Sequence, residues 1–253
     1  MVRPMHSWMI ATGGLIFVGT IQASVICAAR DNEDLVIGTS LADMLVAGET
    51  VISRKQERID DPKLGDKGLS GKALLEQTRE IYRRATGVDP AAVDPASRHG
   101  RLLRAQMDAI VEVMDANQAT INAKGTGFKG FIPAVFARLV DEAFARRAMG
   151  EAEVKITGPP DRIRNRKARP DTWETDVIKS KLLAPNWPRD QAYSAAVETG
   201  GRPAFRVMVP QYYDESCLAC HGSPKGEVDI TGYPKEGAKL NELGGVISII
   251  LYQ

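Results

Sequence analysis

Two cysteines and a histidine stand close together near the C-terminus, in the pentapeptide Cys217-Leu218-Ala219-Cys220-His221. Two thiols at this spacing can add across the two vinyl groups of one haem. The histidine that follows then lies under the iron and supplies its proximal nitrogen. The C-x-x-C-H order therefore predicts one covalent haem c, with Cys217 and Cys220 as attachment points and His221 as an iron ligand.

Three other uses of a close cysteine pair compete with haem attachment. A closed zinc site needs four protein ligands. Beyond the motif the chain offers Cys27 and His99, without a second pair to complete a zinc pattern. A redox dithiol favours a C-x-x-C at the start of a helix in a βαβ unit, which the sequence does not indicate. A disulfide between residues three apart closes little chain. The histidine placed directly after the second cysteine favours haem over all three.

The N-terminus predicts export. No charged residue occurs from Trp8 to Ala29, Arg3 precedes this stretch, and small residues stand just before Arg30. These features are typical of a secretory signal peptide. The 22 uncharged residues could equally span a bilayer as an uncleaved anchor. We expect residues 1–29 to be a signal peptide or membrane anchor and the rest to be periplasmic, the side on which such haem is attached.

The overall composition excludes several functions. Lys plus Arg is 33 and Asp plus Glu is 32, which gives a net charge of +1. Because positive and negative charges are almost equal in number, the protein as a whole has no electric field that would attract nucleic acid. Nucleic acid is therefore not expected as a partner. The sequence contains no G-x-G-x-x-G before a helix, P-loop, G-x-S-x-G or H-E-x-x-H motif. A hydrolytic or nucleotide-using enzyme is therefore not expected.

Helical patterns dominate residues 30–100. Apolar residues from Leu41 to Ile59 recur on one helix face, and Pro62 ends that pattern. Ser70 is suited to cap a second helix that runs to about Ala85. Residues 87–100 contain two prolines and predict a loop. We therefore expect a helical region over residues 30–100.

Residues 101–253 predict a mixture of helices and strands. Helices are expected over 101–123 and 134–149, the second with Pro133 in its first turn. Asp171 and Glu174 can form a capping box for a helix to about residue 183. Residues 153–157, 204–209 and 245–252 have strand character. The expected fold class is α+β.

The C-terminal region resembles the PAS-like c-type haem domain family of exported bacterial sensor proteins, long catalogued as a domain of unknown function. Members occur alone or before histidine kinases and chemoreceptors. The resemblance covers roughly Gly100 to Gln253 and implies a PAS-like antiparallel sheet, preceded by helices and carrying haem over residues 101–253. The chain departs from the family's R-N-P-x-N-x-P-D-x-W-E segment at residues 166–168. The resemblance rests on Arg164-Asn165, Arg169 to Glu174, Gly201 to Pro210, Cys217 to Gly222, and Gly244 to Ser248.

The resemblance also suggests where a second axial ligand would lie. In some members a cysteine on the helix before the sheet fills that role, and Met114 stands near the matching position. A methionine on an apolar helix stripe is more often core. His99, Met107, Met208 and an open or water-filled position are the alternatives. Arg164 and Arg169 are candidates to bind the haem propionates, or else belong to a solvated loop.

Three functions follow from a single exported haem. The first is a haem-based sensor or binding module for redox state or a diatomic gas, which the resemblance favours. The second is a periplasmic electron-transfer cytochrome with a redox partner protein. The third is a haem enzyme with an open iron site, which no other residue pattern supports.

Overall fold

The computed structural model describes residues 19–253 of the chain, with side chains from Arg30 onward. The predicted export segment therefore lies mostly outside the described residues. The helices are α1 Gly19–Arg54, α2 Gln56–Asp60, α3 Gly71–Thr86, α4 Arg98–Ala116, α5 Gln118–Ile121, α6 Pro133–Arg147, α7 Thr172–Val177 and α8 Leu218–His221. The strands are β1 Ala152–Thr157, β2 Tyr193–Thr199, β3 Arg202–Tyr212 and β4 Leu243–Tyr252.

Helix boundaries follow local capping chemistry. The side chain of Ser70 accepts a hydrogen bond from the Ala73 amide at the start of α3, as expected. Pro133 stands in the first turn of α6, where its missing N–H costs nothing. The helix expected over 101–123 instead begins at Arg98 and is interrupted at Asn117. Ser97 caps it, an N-terminal signal that the sequence prediction missed.

One described helix is long and apolar enough to cross a membrane. It is the Arg30–Arg54 part of α1, with a mean hydropathy of 1.6 over its most apolar stretch. Since 61% of that stretch is buried inside the protein, a core helix explains the same pattern. Export of the chain remains a prediction.

The four strands form one antiparallel sheet in the order β1-β4-β3-β2. Helices precede this sheet in the chain, and the combination confirms the predicted α+β class. The edge strand β2 was not predicted, because Ala195 and Ala196 interrupt the alternation of large apolar and polar residues. The turn that follows β2 was nevertheless recognisable in the sequence. Gly200 and Gly201 both have positive φ and join β2 to β3, as glycine pairs do in tight hairpins.

The sheet is covered on both faces. Phe205 and Val207 of β3 face the N-terminal helices and share one core with them. Val207 packs so tightly on α1 that a Cβ at Gly38 would lie 2.6 Å from its Cγ2. On the opposite face, Met208 packs against α7 and the π-helical turn Ile178–Leu182. Strand β1 lies at the edge of the sheet beside α6, and this edge forms one wall of the site described next.

Candidate functional site

The C-x-x-C-H segment follows directly after β3. A 3-10 turn, Glu215–Cys217, leads into the four-residue helix α8. Asp214 caps this turn, because its carboxylate accepts hydrogen bonds from the amides of Ser216 and Cys217. The Cys217 thiol lies 3.3 Å from the same carboxylate oxygen. One aspartate therefore fixes both the backbone and the first thiol of the motif.

Both motif cysteines are free thiols in the structure and are half-buried. Burial is the main cause that raises the pKa of each thiol above its usual value. The two thiols are therefore protonated at neutral pH. Residues three apart share one side of a helical turn, which is the arrangement needed to reach two neighbouring groups on one molecule.

His221 is held by a carboxylate and by an aromatic ring. Its Nδ1 lies 2.8 Å from Oε2 of Glu236. The Tyr213 ring stacks on the imidazole, with centroids 5.2 Å apart and an interplanar angle of 29°. Since Nδ1 is occupied by Glu236, Nε2 is the nitrogen left for a metal.

Tyr213 can occupy this position only because β4 has a glycine beneath it. A Cβ at Gly244 would lie 2.6 Å from Cε1 of Tyr213, closer than such contacts occur. Gly244 belongs to the Gly-Gly pair on which the family resemblance partly rests, so the structure gives this glycine a physical role.

Substitution of Gly244 by alanine is expected to displace Tyr213 and destabilise the protein by about 1–3 kcal/mol, the usual cost of overpacking. Gly245→Ala is the matched control, because its Cβ would lie 3.4 Å from the Thr157 carbonyl oxygen, an ordinary contact. Urea denaturation measures both changes. Equal losses of stability in the two variants would contradict this role of Gly244.

Arg164 ties the motif to the loop that follows it. Its Nε and Nη2 bind the two carboxylate oxygens of Glu236 at 2.6 and 3.0 Å. Its Nη1 binds Asp229 at 2.6 Å, and Nη2 also donates to the Cys220 carbonyl at 2.8 Å. Burial opposes ionisation of Glu236, but hydrogen bonds from Arg164 and His221 outweigh it and lower the pKa of this carboxyl. Glu236 is therefore an anion that accepts from both neighbours.

Cys220 and His221 open onto a cleft of about 1190 Å³. This volume exceeds the range of about 300–1,000 Å³ common for small-molecule sites. Its walls are α6, the β1 edge, and the loop of residues 162–168. The apolar part of the lining includes Ile132, Val135, Val154, Ile156 and Ile163. The basic side chains are Arg138, Lys155, Arg162, Arg164, Arg166 and Lys167, and the carboxylates are Asp141, Glu142 and Glu153.

Asp141 is a buried carboxyl in the α6 wall of this cleft. It is 8% exposed, and its Oδ1 has no hydrogen-bond partner among the described residues. Burial raises the pKa of Asp141 well above its usual value, and the Glu49 carboxyl raises it further, while the Ile156 amide lowers it in part. The buried site therefore favours the neutral, protonated form of this carboxyl.

The Asp141→Asn variant is expected to have a flatter pH dependence of stability. Because the folded pKa lies above the unfolded one, this carboxyl stabilises the fold fully below about pH 4, and that contribution is lost as the pH rises through the raised value. Each unit of pKa difference corresponds to about 1.4 kcal/mol. Urea denaturation between about pH 4 and 8 should show the unsubstituted chain losing stability relative to the variant. A constant difference between the two proteins would contradict the raised pKa.

The residues of this site fit a covalent haem. Two free thiols stand one helical turn apart, the adjacent histidine keeps Nε2 available, and both Cys220 and His221 line a cleft with room for a cofactor. An apolar wall suits a porphyrin, and basic residues at its margin suit two propionate groups. Arg166 lines the cleft and pairs with no carboxylate among the described side chains.

Comparison with known proteins identifies the family. The sequence model of the family described as Tll0287-like (Tll0287) matches residues 89–251, which is more than half of the chain. The chain belongs to the Tll0287-like family. The match agrees in extent with the resemblance to residues 100–253 found in the sequence. No curated protein and no solved structure matches the chain.

Within the Tll0287-like region, the conspicuous R-P-D-T-W-E segment is part of a buried ion network. Arg206 of β3 is 3% exposed and binds Asp171 at 2.8 Å and Glu174 at 3.0 Å. Its guanidinium lies 4.3 Å from the centre of the Trp173 ring. Lys155 binds the other oxygen of Glu174 at 2.7 Å. The predicted capping box of Asp171 and Glu174 is present at the start of α7. The ion pairs of the same two carboxylates with Arg206 of β3 anchor this helix to the sheet.

The other predicted site residues lie elsewhere in the Tll0287-like region. Arg169 is exposed and outside the cleft lining, although its backbone carbonyl accepts a bond from Lys155. Met114 is fully buried in the helical core, and it too is not among the cleft residues. The same holds for His99, which lies 2.8 Å from the Ser40 hydroxyl, and for Met107 and Met208. The structure thus brings together Cys220, His221 and Arg164, with Cys217 one turn away.

The residues that surround His221 could not be predicted from the sequence. Glu236 and Asp229 lie in an irregular segment without periodicity, where no pattern separates them from solvated acids. This segment folds back on the motif because the Gly237 amide donates to the Gly222 carbonyl and the Ala238 amide to the His221 carbonyl. Tyr213 carried a weak signal, since an aromatic residue four positions before Cys217 is close enough to pack on the motif.

Proposed function

We propose that this chain is an exported c-type haem protein. Cys217 and Cys220 would hold one haem covalently, His221 would be its axial ligand, and the chain would work as a sensor or binding module for redox state or a small diatomic ligand. The observation that carries the proposal is the C-x-x-C-H segment, with two free thiols and a histidine oriented through Nδ1 at a cofactor-sized cleft.

Different residues of the chain would hold different parts of the cofactor site. Asp214 presents the Cys217 thiol, and Glu236 with Tyr213 holds the imidazole of His221 in one orientation. Apolar side chains of α6 and β1 would exclude water from the porphyrin face. Once bound, the iron would supply reversible one-electron chemistry and a coordination position for a small ligand.

The composition of the cleft favours a ligand-binding iron over a closed electron carrier. Among the described residues that line the cleft, Cys220 and His221 are the sole cysteine and histidine, and no methionine occurs. Methionine and histidine are the usual second axial ligands of cytochrome c haem. Because the described cleft lining offers neither a methionine nor a second histidine, it supports an iron that keeps a position open to an exogenous ligand. Met114 is buried in the helical core and is not among the cleft residues, so the proposal assigns it no role.

The finer description of the fold belongs to the same proposal. The four-stranded antiparallel sheet preceded by helices supports a PAS-like haem domain over residues 101–253. The N-terminal segment, as signal peptide or anchor, would place that domain in the periplasm. A chain of this kind would pass its state to a partner protein, in keeping with the sensory relatives that the sequence resemblance implies.

Absorption spectra of the holoprotein test the function. The chain is produced together with a cytochrome c assembly system, and spectra of ferric and ferrous protein are recorded before and after addition of CO and NO. We expect the ferrous spectrum to change when CO binds at the open position. A ferrous spectrum that neither gas alters would contradict the binding of a diatomic ligand and favour the electron-transfer cytochrome.

A further inference from the structure

The segment after the motif carries a carboxylate, Glu236, that contacts His221. A small hairpin in residues 226–235 closes through the Gly226 amide on the Lys235 carbonyl and the Lys235 amide on the Glu227 carbonyl. The chain then returns to the motif, where the Ala238 amide donates to the His221 carbonyl at 2.8 Å. This path places Glu236 beside the imidazole, fifteen positions after His221 in sequence.

We propose that Glu236 is a positioning residue that sets the electron donation of His221 to the iron, and that Arg164 moderates this effect. The inference rests on the proposed function, since it concerns the histidine that would bind the haem. It assigns a role to the Arg164–Glu236 pair that is separate from the covalent attachment and from the open ligand position.

A direct contact with His221 supports the role of Glu236. Its Oε2 lies 2.8 Å from Nδ1 of His221, so the imidazole proton is held on Nδ1 and the ring orientation is fixed. A carboxylate acceptor draws this proton more strongly than a backbone carbonyl would, which makes Nε2 a better electron donor. A stronger donor stabilises ferric over ferrous iron, because it offsets more of the higher positive charge. Glu236 should therefore lower the reduction potential of the haem.

Arg164 limits this effect because it shares the same carboxylate. Its Nη2 binds the Oε2 atom that also accepts from His221, at 3.0 Å, and its Nε binds Oε1 at 2.6 Å. A bidentate guanidinium neutralises much of the carboxylate charge. Arg164 also donates to the Cys220 carbonyl at 2.8 Å, so it holds the carboxylate in a fixed position relative to the motif. The side chains of Glu236 and Arg164 are 14% and 17% exposed, so solvent screens these contacts little.

The test compares Glu236→Gln with Glu227→Gln in holoprotein. Glutamine keeps the shape and an acceptor oxygen at position 236 but removes the charge. Glu227 lies in the same segment, pairs with Lys235 at 2.7 Å, and is half exposed. Its substitution removes an equal charge without touching His221. We expect Glu236→Gln to raise the midpoint potential by clearly more than Glu227→Gln does. The ferric electron paramagnetic resonance spectrum should shift in the first variant alone.

A second variant covers the case in which Glu236→Gln yields too little holoprotein. Glu236→Asp keeps the charge but withdraws it from His221 by one methylene, and its potential should lie between those of the unsubstituted chain and the glutamine variant. Equal shifts in the Glu236 and Glu227 variants, or a lowered potential in either Glu236 variant, would overturn the inference while leaving covalent haem in place. Absence of haem from the unsubstituted chain would instead overturn the proposed function, and this inference with it.

Discussion

A chain in which serine replaces both Cys217 and Cys220 is expected to release all of its haem when it is denatured. Serine keeps the size and the polarity of the side chain but cannot form the two thioether bonds that the motif provides. Haem staining of a denaturing gel measures the effect, with an equal protein load confirmed by a general stain. The expected change is complete loss of the stained band.

The third cysteine provides a matched control for this experiment. Cys27 lies in the apolar N-terminal segment, far from the motif in sequence. The Cys27→Ser variant should retain full haem stain, because no part of the proposed attachment uses it. Single substitutions at Cys217 or Cys220 should each leave one attachment bond and a weaker band. Staining that survives the double substitution would contradict attachment through Cys217 and Cys220.

Replacement of Arg206 by methionine is expected to cost about 3–5 kcal/mol of folding free energy, the usual effect of breaking a buried ion pair. Methionine fills a similar volume, but Glu174, with its side chain 1% exposed, keeps Lys155 as its one remaining charged partner. Trp173 would also lose the guanidinium that lies over its ring. Urea denaturation measures the loss, and the haem stain shows whether the site survives in the folded fraction.

Arg202→Met is the control for Arg206 because the two arginines lie on the same strand. The Arg202 guanidinium lies 4.1 Å from the centre of the Tyr252 ring, but the residue is exposed. Its loss should cost about 1 kcal/mol or less, as expected for an exposed contact of this kind. If both variants lose the same stability, the buried network of Arg206 contributes nothing beyond an ordinary surface arginine.

Short-range signals in the sequence were sufficient to predict most of the fold. Ser70, Pro133 and the Asp171–Glu174 capping box each mark a helix start through contacts with their own neighbours, and the structure has all three. Strands β1, β3 and β4 were found because their apolar residues are continuous or alternate. Strand β2 was missed because its small, partly exposed residues give no periodicity. Its position is fixed by pairing with β3, and the glycine pair at its end was the available clue.

The candidate site likewise contains residues that could be identified from the sequence and residues that could not. Cys217, Cys220 and His221 could be identified because their chemistry depends on spacing within five residues. Arg164 was a candidate because it belongs to the basic run of residues 162–169. Its partners, Glu236 and Asp229, could not be identified, since these contacts cross 72 and 65 positions of chain. For Met114, the local sequence suggested an iron ligand. The structure buries this side chain in the helical core, a position that follows from tertiary packing.

The intact mass of the purified chain shows directly whether haem is bound covalently. The unsubstituted chain is made with a cytochrome c assembly system, denatured, and measured by mass spectrometry. We expect a mass higher than that of the polypeptide by one haem, carried by the fragment that contains residues 217–221 after proteolysis. A mass equal to that of the bare polypeptide, from colourless protein, would contradict it.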